Sequence, residues 1–128
     1  MKAQVAIEFM IIMGALLALM TSAVLLSSGS IHQMNELQIK KEAEDALSRI
    51  SSKINTAFLE GEGFMTSMEV PETLVYYDYS LTIYDNYLLL EVENRTFEQP
   101  LLTKAVTQGS VNKGINTLEN NGTFVRIS

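Results

Sequence analysis

The eighteen residues Phe9–Leu26, FMIIMGALLALMTSAVLL, carry no charge. Their number falls within the roughly 17 to 25 apolar residues that span a bilayer as a helix. A cleaved secretory signal is the ordinary alternative: a basic start, an apolar stretch of about 7 to 15 residues, then a small-residue cut site, which Ser27, Ser28, Gly29 and Ser30 would supply. Two features argue against it. Glu8 puts a carboxylate at the head of the run, where a secretory signal has only positive charge and then aliphatic residues. Helical periodicity also continues well beyond the run.

That continuation is Ile39, Ala43, Ala46, Leu47, Ile50, Ile54, Ala57 and Phe58, recurring at steps of three and four and drawing one apolar stripe along an α-helix. The opposite face pairs Glu36 with Lys40, Lys41 with Asp45 and Asp45 with Arg49 at i,i+4, each contributing about 0.2 to 0.5 kcal/mol when solvated. The two segments join into one helix over residues 4–59, loosened near Gly14 and Ser27–Ser30 and ending at Gly61 and Gly63. At 1.5 Å per residue it is about 80 Å long, more than a bilayer requires. Residues 4–26 are apolar all round and residues 31–59 on one side only.

Beyond the glycines the pattern shifts to runs rich in Tyr, Val, Ile, Thr and Leu, which predict strands. Tyr79–Tyr84 and Tyr87–Glu93 flank Asp85-Asn86, two residues that tolerate positive φ and suit a tight hairpin. Leu101–Gln108 and Thr123–Ile127 read as two further strands, with Pro100 as a break and Asn120-Asn121-Gly122 as a second turn. The expectation is an α+β chain: a long N-terminal hydrophobic helix whose C-terminal half packs against a small antiparallel sheet of about four strands in residues 60–128. The stripe Ile39–Phe58 is the natural cover for one sheet face.

Charge and composition exclude several function classes. The whole net charge of −6 belongs to residues 60–128, with four basic and ten acidic residues, whereas residues 1–59 carry five of each. No basic patch stands ready to neutralise phosphates, so nucleic acid is not an expected partner. Cysteine is absent, and with it disulfide frameworks, thiolate metal sites and cysteine nucleophiles. His32 is the single histidine and reads as a polar residue on the helix; no phosphate loop, HExxH or EF-hand pattern occurs. The pairs Glu42/Glu44 and Glu91/Glu93 read as solvated faces. Neither an enzyme nor a cofactor or metal is expected. Asn94-Arg95-Thr96 and Asn121-Gly122-Thr123 match the N-glycosylation pattern at expected turns, making Asn94 and Asn121 candidate sugar sites.

Glu8 is the most informative residue. A carboxylate deep in a bilayer costs about 2.5 to 3.5 kcal/mol on insertion scales and normally faces a partner. A cut between Ala3 and Gln4 would create a free α-amino group one helical turn from Glu8. Within one subunit the carboxylate favours the positive end of the helix; between subunits it meets a neighbour's amino terminus and fixes their axial register.

Met1-Lys2-Ala3, then Gln4-Val5-Ala6-Ile7-Glu8-Phe9 and the apolar run, resemble archaeal type IV pilins carrying a class III signal peptide, whose motif reads Gln-x-Ser-x-Glu-Phe. Gln4, Glu8 and Phe9 match, and Ala6 stands where Ser is usual. The motif resemblance covers about the first 26 residues; beyond them only the architecture, a long helix followed by a β-rich head, is pilin-like. The resemblance implies removal of residues 1–3 by a prepilin peptidase, a stay in the cytoplasmic membrane, and extraction by pilus assembly machinery into a helical homo-oligomer at the cell surface. There Gln4, Glu8 and Phe9 would serve assembly and register, and the head would face outward for adhesion. Two other readings stand beside it: a membrane-anchored extracellular binding module with an uncleaved anchor, and a secreted domain released near Ser30.

Overall fold

In the computed structural model, which describes residues 1–128, the chain is α+β. A single helix, α1 (Lys2–Glu60), precedes seven strands: β1 (Met65–Val70), β2 (Tyr79–Tyr84), β3 (Tyr87–Val92), β4 (Arg95–Pro100), β5 (Gly109–Ser110), β6 (Gly114–Asn120) and β7 (Val125–Ile127). The helix is unbroken through Gly14 and Ser27–Ser30, where loosening is expected from the sequence. Thr21, Ser22, Ser28 and Ser30 each donate their hydroxyl to the carbonyl four residues back, so these helix-neutral residues sit inside the helical ladder without competing for it. Residues 1–37 and 38–128 form two compact units.

In the second unit the strands form two antiparallel sheets, ordered β1-β6-β7 and β4-β3-β2-β5. This corrects the expectation of one sheet of about four strands. The hairpin across Asp85-Asn86 is as expected, with Tyr84 paired to Tyr87 and Asp85 at φ 41°. Leu101–Gln108 is not a strand. Its inward–outward alternation buries Leu101, Thr103 and Val106, but its backbone is satisfied irregularly: Leu102 N–H donates to Asn55 Oδ1 at 3.0 Å, Ala105 N–H to Thr103 Oγ1 at 2.9 Å, and Val106 makes one bridge to Val125. Thr123–Ile127 shortens to Val125–Ile127 because Thr123 and Phe124 N–H both donate to Asn121 Oδ1 and stay in the turn. The strands β1, β4, β5 and β6, absent from the sequence expectation, complete the sheets.

The core of this unit joins the helix stripe to both sheets. Ile39, Ala43, Ala46, Leu47, Ile50, Ile54 and Ala57 are buried with Met68, Leu81, Ile83, Leu88, Leu90 and Leu118. Phe58 departs from the expected stripe and is 38% exposed. The helix stops where Gly61 takes φ +88°, a left-handed conformation that glycine adopts without Cβ strain. Buried Asn120 completes the stop: its Nδ2 donates to the carbonyls of Ala57 at 2.9 Å and Phe58 at 3.3 Å, carbonyls that a helix end leaves unpaired.

Candidate functional site

In the first unit no residue of the most apolar window of α1 is buried. Val5, Phe9, Ile11, Leu17, Met20 and Leu26 are between 59% and 77% exposed. Monomeric soluble proteins rarely leave so large a contiguous apolar surface open to water. By length and composition the helix is able to cross a bilayer, and a signal sequence near the N-terminus passes the same test. Polar groups here do not oppose an apolar environment, because the hydroxyls of Thr21 and Ser22 are already spent on the carbonyls of Leu17 and Ala18, both at 2.8 Å. Gly14, Ala18 and Ser22 recur at steps of four, and nothing lies within 4 Å of the position a Gly14 side chain would take. A neighbouring helix is therefore able to approach closely along this line.

Ala3, Gln4, Glu8 and Phe9 lie together in the first turns of α1, all exposed. Gln4 and Glu8 are separated by one helical turn, the spacing at which side chains share a face. Asn94 sits exposed in the β3–β4 turn beside Glu93, which has φ 52°. Asn121 is exposed in the β6–β7 turn, its Oδ1 committed to two backbone N–H groups. His32 is an exposed helix residue. No group of three or more His, Cys, Asp or Glu is placed to hold a metal ion.

The second unit holds one concentrated electrostatic arrangement. Lys113 pairs with Asp78 and lies over the Tyr79 ring, 4.9 Å from its centroid. The Lys113 hydrogen bond and charge hold the Asp78 carboxyl below the usual carboxylate range. Burial, then the charges of Glu72 and Asp78, push the Tyr79 phenol up to about 12. Tyr79 donates its hydroxyl to the Pro71 carbonyl. The cluster ties the loop after β1 to the loop before β6.

Five residues acquire roles invisible in the pattern. Glu42, expected on a solvated face, accepts from Val75 N–H at 2.9 Å. Arg49, expected as half of a surface ion pair, donates Nε to the Asp45 carbonyl at 3.3 Å and, with Lys53, lines a groove of about 770 Å³ beside β1. Val75 and Tyr76 occupy φ 46° and 70° in a turn closed by Leu74 and Tyr77, each donating N–H to the other's carbonyl. A two-residue turn of this kind ordinarily carries Asn-Gly, so no sequence signal marked it.

Comparison of the chain with protein-family models, curated proteins and solved structures yields no match.

Proposed function

We propose that this chain is the structural subunit of an archaeal type IV pilus-like surface filament, cut between Ala3 and Gln4 and assembled through α1. The single observation that carries this reading is a long helix whose first half exposes apolar side chains on every side while its second half is buried on one face by its own domain. A surface apolar all round requires lipid or other apolar helices. The same surface serves both: lipid before assembly, neighbouring copies afterwards. Because lipid tails are as apolar as leucine, transfer between them brings little hydrophobic gain, and close packing along Gly14, Ala18 and Ser22 has to favour the filament. Glu8 adds register, its carboxylate meeting the new amino terminus at Gln4 of a neighbour. The acidic domain of residues 60–128 faces the medium, for adhesion, with Asn94 and Asn121 open to glycosylation. No catalytic role is assigned.

Mass spectrometry of the mature chain separates this reading from its alternatives. A chain starting at Gln4 supports the filament subunit, one starting at Met1 an uncleaved membrane-anchored module, and one starting near Ser30 a secreted domain. Electron micrographs of native material then show fibres or refute them. Glu8→Ala in the native host is expected to lower fibre yield by at least about tenfold at unchanged membrane level, the scale set by leaving the amino-terminal charge unpaired in an apolar core. Normal fibre yield removes the electrostatic register.

A further inference from the structure

We propose that the groove between α1 and β1 is a strand-addition site for an extended acidic peptide segment. The strand β1 pairs on one side only, with β6. Its register places Thr66 opposite Leu118 and Met68 opposite Asn116. Phe64, in the same series, accepts from Asn120 N–H at 2.9 Å. On the far side of β6, Thr117 exchanges both hydrogen bonds with Ser128, at 2.7 and 3.0 Å. Antiparallel pairing alternates, so the backbone groups of Thr66 and Met68 turn toward β6, and those of Met65, Ser67 and Glu69 turn outward to the open edge. A six-residue open edge is a template for another strand.

The groove alongside supplies the selectivity. Buried Ile50 and Met68 form its base, and Arg49 and Lys53 line its helix side. Glu69, also lining it, is exposed and alternates in direction with Met68, so a strand added to β1 directs every second side chain away from Glu69 and toward the helix. Arg49 spends Nε on the Asp45 carbonyl, and its terminal amino groups remain for a carboxylate. Four helical residues rise about 6 Å, and alternate strand residues are about 6.6 Å apart. Carboxylates at alternate positions therefore match Arg49 and Lys53 in turn. Outside this groove the domain is strongly acidic, so an acidic segment finds its favourable potential here.

The test uses the full chain in detergent micelles and a fluorescein-labelled hexapeptide, Thr-Glu-Val-Glu-Val-Thr, followed by fluorescence anisotropy. Saturable binding is expected, with at least about tenfold loss when both glutamates of the probe become lysine or when Arg49→Glu and Lys53→Glu are combined. Ser67→Pro removes an outward N–H without removing a bond to β6 and is expected to abolish binding, while Ser67→Ala retains it. Should Ser67→Pro fail to fold, probes N-methylated at each second peptide bond in either phase test the edge without altering the protein: one phase is expected to lose binding. Equal binding by both phases, or by the lysine probe, overturns the proposal. So does a probe that fails to bind while Arg49→Glu alters the oligomer distribution, an outcome that assigns the groove to a second copy.

Discussion

Leu17 and Leu47 lie on the same helix, in the same backbone conformation, yet Leu17 is 65% exposed and Leu47 is 1% exposed. The first belongs to the unit of residues 1–37 and the second to that of residues 38–128. Local structure is thus uncoupled from burial. The helix forms in both places, but only the second has sheets in its own chain to cover its apolar stripe. The first has apolar residues on all sides and no covering element in its own chain. One helix thus carries both an intramolecular core and an apolar surface that its own chain leaves open.

The largest test of that contrast is a matched pair of truncations. Leu47→Ala is expected to destabilise the second unit by about 2 to 5 kcal/mol, through lost burial and a residual cavity. Leu17→Ala should leave the same unfolding transition within about 0.5 kcal/mol. Urea denaturation of each full-length variant in micelles, followed by tyrosine circular dichroism, makes the comparison; equal effects would erase the distinction between the regions. Next is the join of helix to sheet. Asn120→Ala strips two helix carbonyls of their donor and is expected to cost about 1 to 3 kcal/mol, with faster amide exchange in the last turn of α1.

A smaller effect of opposite sign is expected at the turn of Val75 and Tyr76. Both residues hold positive φ, and at a β-branched valine this is a genuine outlier. Replacing them together, Val75→Asn with Tyr76→Gly, should stabilise by about 1 to 2 kcal/mol, read as a higher urea midpoint. The smallest signal is a pH dependence. The Tyr79 phenol ionises at about 12 when folded against an ordinary 10, so folding favours its neutral form. Its contribution is complete below pH 10 and is lost as the pH rises from there through about 12. Tyr79→Phe should remove that alkaline limb from the urea midpoint plotted against pH.

The sequence made the helix and the Asp85-Asn86 hairpin legible because their signals are local: apolar residues at steps of three and four, and turn-forming residues between two β-rich runs. It missed β6 because Asn116 and Asn120 occupy inward positions that the pattern reads as polar. Both are buried, and both are satisfied internally; Asn116 donates to the carbonyls of Asn112 and Gly114 at 2.8 and 3.1 Å. It missed β4 because an edge strand such as Arg95–Pro100 needs only Phe97 packed against the core. It misread Leu101–Gln108 because alternating burial does not require a ladder when side chains such as Asn55 satisfy the backbone. For the candidate site, Glu8 was visible as the one charge at the head of the apolar run, whereas Ala3, Gln4 and Phe9 were singled out by their resemblance to the pilin signal motif. The groove was not, since Arg49 and Lys53 meet β1 only through the fold.

By itself, then, the sequence determined where the chain is helical, where that helix is apolar all round, and where Gly61 ends it. Periodicity, charge and glycine conformations are properties of near neighbours. Tertiary structure alone decided that the strands divide into two sheets, that Asn120 finishes the helix from 62 and 63 residues away, and that β1 keeps an open edge beside two cations. Each of these depends on pairing between distant segments, whose register follows from the combined burial of the whole unit and from no single stretch of residues.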